Sequence, residues 1–232
     1  MHVASLGSTM VGPFLRTLGL HLALAVLLGL TTAAEQSNLA PEIVSAANFD
    51  LAKLKLETQR AGASTEYHYY YDGEHISPWH DIPFSSSTSE DGTRLLNFVC
   101  EIAKGTREKR EIHKSAPYNP IIQDVKKGKP RDYLYGPSLC NYGAIAQTWE
   151  DPMEVAEETG QGGDNDPIDV LQVNSSPCRV GEVMGVRVLG TLALVDGGET
   201  DWKIIVADPS DPETKDWKDI GDVSNCIPAR ST

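Results

Sequence analysis

The stretch Val183-Met-Gly-Val-Arg-Val-Leu-Gly-Thr-Leu-Ala-Leu-Val195 decides the fold class. It is mostly apolar, rich in β-branched residues, and broken by Gly185 and Gly190. β-Branched side chains favour extended backbone, and glycines inside a strand mark a bend or a close approach, so the stretch predicts one long, bent barrel strand. Working outward, Trp202-Lys-Ile-Ile-Val-Ala207 follows across an acidic, glycine-containing turn, and Ile168-Asp-Val-Leu-Gln-Val173 precedes it. Leu95-Leu-Asn-Phe-Val-Cys-Glu-Ile102 is a further strand, with Lys109-Arg-Glu-Ile-His113 expected to pair with it. Thr65-Glu-Tyr-His-Tyr-Tyr-Tyr71, the turn Asp72-Gly73 and a return over residues 75–83 predict a hairpin. Short strands separated by Gly, Pro and Asp turns predict a mainly β (α+β) protein built on a closed or partly closed barrel. No internal repeat is visible.

The 232 residues carry 20 Lys+Arg against 33 Asp+Glu, a formal net charge of −13. That balance argues against nucleic acid or an anionic membrane as the principal partner. The charge is uneven. Residues 150–222 hold 18 acidic and 5 basic side chains, whereas residues 101–131 hold 4 acidic and 9 basic ones. An acidic half facing a basic stretch suits a polyanion bound through bridging cations; a plain surface asymmetry is the alternative. The four cysteines, at 100, 140, 178 and 226, are too sparse for a disulfide scaffold and lack C-x-x-C spacing. Cys100, inside a predicted strand, is expected to act as a small buried hydrophobe.

The chain opens with a lead, residues 1–34. One basic residue, Arg16, precedes the apolar run Leu18-Gly-Leu-His-Leu-Ala-Leu-Ala-Val-Leu-Leu-Gly-Leu30 and the small residues Thr31-Thr-Ala-Ala34. This is the layout of a cleaved secretory signal, and the run is short for a membrane span. A mitochondrial presequence is the alternative, as is a cytoplasmic chain if the lead is an artefact. The expected division is therefore a lead over 1–34, an N-terminal arm over 35–64 and a barrel domain over 65–232, with no membrane contact for the mature chain. Asn174-Ser175-Ser176 is a glycosylation sequon that matters if the chain is secreted.

Gly163-Asp164-Asn165-Asp166-Pro167-Ile168-Asp169 places three carboxylates within six residues at the entry to a strand. Clustered carboxylates repel one another, so folded proteins bring them together mainly around a hard, oxygen-seeking cation. Pro167 and Asp169 break the EF-hand pattern, and an acidic turn without metal stays open for this motif alone. A second acidic turn, Asp196-Gly-Gly-Glu-Thr-Asp201, leads into the next strand. There Asp201 and Lys203, two apart, point to one face, as do Lys109 and Glu111 upstream, while Glu101 closes its own strand. Lysines beside carboxylates at strand ends form a metal-plus-anion site, although edge strands also carry such pairs as protection against aggregation.

Several segments resemble the soluble (family I) inorganic pyrophosphatases of eukaryotic type. They are Asn119-Pro-Ile-Ile-Gln-Asp-Val-Lys-Lys-Gly-Lys129, Asn141-Tyr-Gly-Ala144, Gln147-Thr-Trp-Glu-Asp-Pro152, residues 163–170 and Gly198-Glu-Thr-Asp-Trp-Lys203. They run in the family's order over residues 65–224. The resemblance implies an OB-like five-stranded barrel with flanking loops and short helices, and hydrolysis of inorganic diphosphate to two orthophosphates with several Mg²⁺ ions. It implies that Asp164, Asp169 and Asp201 hold the first ion, that Asp169 is shared with a second, and that Asp196, Glu111 and Glu101 serve further ions. Asp166 would take the proton from the nucleophilic water; Lys109, Arg131, Tyr142 and Lys203 would contact the diphosphate or the leaving phosphate. A homodimer is implied too.

That layout is physically coherent. Cations neutralise the diphosphate and lower the pKa of a shared water, and the basic side chains stabilise charge on the transferring group. The chain departs from the family between Arg131 and Asn141, which is short and lacks the Phe-Pro and Gly-Tyr run. It also departs at Gly197, where an acid is usual, and at Ala103-Lys104-Gly105. It ends at Thr232, without the family's C-terminal Tyr-Lys segment and long helix. Two alternatives therefore stand beside the enzyme: a degenerate homologue binding metal or phosphate with little turnover, and a non-enzymatic acidic Ca²⁺-binding β-domain.

Overall fold

The strands assemble as two larger sheets and a two-stranded ribbon in a computed structural model that describes residues 4–5, 49–62, 64–89, 91–173 and 176–224. The apolar run of the lead, the sequon at Asn174-Ser175 and the ending over residues 225–232 lie outside the described residues. In chain order the strands are β1 (Ala4–Ser5), β2 (Leu54–Ala61), β3 (Ser64–Tyr71), β4 (Glu74–Ile76), β5 (Ser85–Thr88), β6 (Arg94–Ile102) and β7 (Arg110–Ile112). There follow β8 (Ile121–Gln123), β9 (Val125–Lys126), β10 (Lys129–Pro130), β11 (Asn141–Ile145), β12 (Asp169–Gln172), β13 (Val183–Asp196) and β14 (Glu199–Ala207), then the helix α1 (Ile220–Ser224). Among the described residues no helix is long and apolar enough to cross a membrane.

Five of these strands close on themselves. β6 pairs with β11, β11 with β12, β12 with β14, β14 with β13, and β13 returns to β6. All pairings are antiparallel except β12 with β14. This is the ring of an OB-type Greek-key barrel. Within the ring β13 takes part in two pairings, with β6 over residues 183–186 and with β14 from Arg187 onward, and its register shifts between Val188 and Gly190. The bend that the glycines predict is therefore a bulge in the middle of the strand.

β6 is the central wall. Its Leu96, Phe98 and Cys100 join Ile145, Val170, Val186, Ile204 and Val206 inside the barrel. Val99, one residue out of phase, joins Tyr69, Tyr71, Ile76 and Ile121 of the second sheet and Trp79 of the turn after β4. A strand buried on both faces reads as a continuous apolar run rather than an alternating one. The second sheet has the order β2-β3-β8-β7, with β4 on the other part of β3. Its first strand, β2, lies in the stretch expected to be an arm and pairs along the length of β3.

Three local expectations need correction. The hairpin return is only Glu74–Ile76, because residues 77–83 turn away: Ser77 and Asp81 build a side-chain-capped turn, with Ser77 N donating to Asp81 Oδ2 at 2.8 Å. The segment around Lys109 does not pair with β6 but with β8, Arg110 opposite Gln123 and Ile112 opposite Ile121. Cys100 is not a lone thiol; it is bridged to Cys178, with Cα atoms 6.7 Å apart. The bridge anchors the loop before β13, where Gly181 N also donates to Cys100 O at 2.7 Å and Tyr69 OH to Gly181 O at 2.9 Å. A link spanning 78 positions restricts the unfolded chain strongly, by roughly 4 kcal/mol in the loop-entropy account. Reduction is therefore expected to lower the melting temperature by several degrees. Equal melting curves with and without reductant, with the thiols titrated, would remove this contribution.

Candidate active site

The acids lie where the barrel's outer face meets two loops. β12 and β14 run parallel with Asp169 opposite Lys203. Since successive side chains alternate, Val170 and Ile204 point inward while Asp169, Asp201 and Lys203 point out. Lys203 Nζ donates to both Asp169 Oδ2 and Asp201 Oδ1, and Tyr142 OH on β11 donates to Asp169 Oδ2 as well. Burial lifts the Asp169 carboxyl to about 6, and Lys203 and Tyr142 pull against that shift, so Asp169 is charged at neutral pH. Burial works against the Lys203 charge, but the two carboxylates hold its pKa above the usual value.

The loop that carries the Asp-x-Asp pair is tied to the loop over residues 147–152. Asn165 N donates to Glu150 O at 2.9 Å, Glu150 N to Asp166 O at 2.9 Å, and Gly163 N to Asp151 O at 3.0 Å. Asp166 N donates to Asp164 Oδ1 at 3.0 Å, and Asn165, with φ 66°, takes the left-handed turn position that asparagine tolerates. Gly163 is obligatory by space: a Cβ there would stand 2.4 Å from the Glu150 carbonyl carbon. Thr200 N donates to Gly162 O at 2.7 Å, which seats this loop on the start of β14.

The result is a group of three acids, Glu150, Asp164 and Asp201, each offering an oxygen within 4.8 Å of the others. Glu150 Oε1 accepts from Trp202 N at 2.7 Å, while its buried Oε2 has no donor. Burial, then the facing Asp164, raises the Glu150 pKa to about 10. Burial of a carboxyl that faces other acids favours a proton or a cation on it, and an all-oxygen donor set suits a hard divalent ion. This group is where the residues fit a metal.

A basic flank stands beside these acids. Lys109 Nζ lies 2.6 Å from Glu111 Oε2 and 3.5 Å from Asp124 Oδ2, and Arg131 Nη1 lies 2.5 Å from Asp124 Oδ2. Lys114 Nζ pairs with Asp166 Oδ1 at 2.7 Å. Burial opposes ionisation of Asp124, but Arg131 and Lys109 outweigh it and hold its pKa low. Lys109 N donates to Arg131 O at 3.0 Å and Tyr133 N to Arg107 O at 2.8 Å, with Glu108 bridging Asp132 between them. That register puts Lys109, Arg131 and Tyr133 on one face.

Of the residues singled out from sequence, Asp164, Asp169, Asp201, Lys203 and Tyr142 converge, and Asp166 sits on the same loop with Lys114. Lys109, Arg131 and Glu111 form the neighbouring cluster. Glu101 is buried, its Oε1 accepting from Ile112 N at 2.6 Å, and burial, then Asp169, pushes its pKa up. Asp196 is exposed at the tip of the β13–β14 hairpin, outside the three-acid group. Sequence reasoning missed Glu150, Asp124, Lys114 and Tyr133. Glu150 opens a run of five acids, with Asp151, Glu154, Glu157 and Glu158, and nothing local distinguishes it from its neighbours.

A family model described as inorganic pyrophosphatase matches residues 98–231. The chain is 44% identical over 179 residues to the inorganic pyrophosphatase of Homo sapiens, covering 74% of this chain and 60% of that protein. It thus spans about 60% of the length of that curated relative. Among solved structures, type I inorganic pyrophosphatase from Toxoplasma gondii is 37% identical at a TM-score of 0.70, over 75% of this chain and 78% of that one. An N-terminally truncated vacuolar soluble pyrophosphatase from Trypanosoma cruzi, solved in complex with PPi, is 36% identical at a TM-score of 0.68, over 83% and 78%.

Proposed function

Because the chain belongs to the inorganic pyrophosphatase family, we propose that it hydrolyses inorganic diphosphate to two orthophosphates with the help of divalent cations, Mg²⁺ in the first instance. The observation that carries this reading is the three-acid group with its undonated Glu150 Oε2, placed beside four cationic side chains. Glu150, Asp164 and Asp201 would hold one ion, and Asp169 lies next to them through Lys203. When bound, such ions supply charge neutralisation of the diphosphate and a lowered pKa for water.

The chain's own groups do the rest. Asp166, paired with Lys114 on its turn, would be the base that takes the proton from the attacking water, the role its position in the motif implies. Lys109, Arg131 and Lys203 hold phosphate oxygens and stabilise the charge that develops on the transferring group. Tyr142 positions Asp169 and adds a neutral donor. The test is phosphate release from pyrophosphate with and without Mg²⁺. Release that needs the ion and is lost in Asp166→Asn supports the reading; activity unchanged in Asp166→Asn overturns this mechanism.

The raised acids also set a pH dependence. Carboxyl groups with pKa values of about 6 and about 10 keep protons that a cation must expel. Mg²⁺ affinity is therefore expected to tighten as pH rises from about 5 to 8, with proton release on binding. The linked sign for folding is the reverse: raised carboxyls favour the folded state when protonated, so stability in chelator falls as pH rises through that window. Calorimetry in buffers of different ionisation enthalpy measures the released protons, and an affinity independent of pH would contradict the assignment.

A further inference from the structure

The geometry points to a second metal site on the smaller sheet, in which His68 and His75 are the ligands of a borderline divalent cation, Zn²⁺ or Cu²⁺. Tyr70 and His75 are directly opposite in the β3–β4 pairing, so His68, two residues from Tyr70, shares their face and sits diagonally to His75. The rings turn their nitrogens together: His68 Nδ1 is 3.3 Å from His75 Nε2. Two nitrogens bound at about 2.0–2.1 Å to one tetrahedral ion are about 3.3–3.4 Å apart. The pair already has that spacing.

The surroundings select the ligand form. Glu66 Oε2 lies 3.1 Å from His68 Nε2. A carboxylate there fixes the proton on Nε2 and leaves a lone pair on Nδ1, aimed at His75, the arrangement that accompanies metal-bound histidine. His75 is stacked between Tyr70, with ring centroids 4.7 Å apart, and Tyr118, at 4.0 Å, so its ring has little freedom to turn away. Glu57 is opposite His68 in the β2–β3 register and exposed, and water would fill the remaining coordination positions. Imidazole nitrogen suits Zn²⁺ and Cu²⁺ and discriminates against Mg²⁺, so this site and the acid group draw on different ions.

The experiment adds one equivalent of Cu²⁺ to the full chain in excess Mg²⁺ and records the electron paramagnetic resonance spectrum. Splitting from two imidazole nitrogens is expected in the wild type, and its loss in both His75→Ala and His68→Asn supports the site. Zn²⁺ affinity, measured by competition with a chromophoric chelator, is expected to fall tenfold or more in each variant. A wild-type spectrum without nitrogen splitting means that the histidines are a hydrogen-bonded pair only and overturns the proposal; so does splitting that survives in a variant whose melting curve shows it folded. Pyrophosphate hydrolysis plays no part in the readout, so the outcome is independent of the proposed activity.

Discussion

Replacing Asp169 with Asn is expected to lower phosphate release by at least about 10²-fold while leaving the fold intact, the size of loss seen when a preorganised electrostatic group is removed from a reacting site. Asp169 is the point where β11, β12 and β14 meet chemically: Tyr142 and Lys203 both donate to the same oxygen. Asparagine keeps the shape but presents a single neutral oxygen, so it holds a cation and orients Lys203 far less strongly than the carboxylate. Stability should change little, because burial already penalises the Asp169 charge and Lys203 retains Asp201. The decisive measurement is the pair of values, rate and melting temperature. Activity within fivefold of wild type would place the catalytic ion elsewhere. A melting temperature reduced in step with activity would instead make Asp169 a structural residue.

Gly143→Ala is expected to be the most damaging single methyl group in the barrel. Gly143 lies on β11 opposite Cys100, next to the bulge that shifts the β11–β6 register. A Cβ there would sit 1.9 Å from Val99 O and 2.9 Å from Glu101 N, and both are backbone atoms of the central wall. No rotamer change relieves a clash with backbone, so β6 and β11 must separate. Overpacking of this kind costs about 3 kcal/mol or more, roughly 6–12 °C in melting temperature for a chain of this size. Because Tyr142 and Glu101 flank the clash, the variant should also lose activity before it melts. A melting temperature within two or three degrees of wild type, at about 3 °C per kcal/mol, would show that the strands relax where the geometry says they cannot.

Much of the barrel was legible because its strands are long or continuously apolar: residues 95–102, 168–173 and 183–195 each announce a buried strand. The closing contact between β13 and β6 was not legible, since a pairing between strands far apart in the chain leaves no local trace. The same limit explains the error at Lys109. β7 is three residues long, and nothing in Arg110-Glu-Ile112 distinguishes β8 from β6 as a partner. For the site, carboxylates dense in sequence stood out, and their lysine partners followed from alternation on one strand. Glu150, Asp124 and Tyr133 did not, because each becomes informative only when a loop is folded against residues elsewhere in the chain. Cys100 and Cys178 likewise became a pair only through the loop that precedes β13.

The cations of the site are already spoken for. Lys203 leans on Asp169 and Asp201, Arg131 and Lys109 on Asp124, Lys114 on Asp166. A bare anion approaching this surface meets neutralised pairs and gains little. One that arrives already complexed to a cation offers both halves of an exchange: its metal takes the carboxylates, and the released ammonium and guanidinium groups close on its oxygens. On the proposed function such a surface would recognise a salt rather than an acid, and the concentration governing its occupancy would be that of the complex, not of the free polyanion.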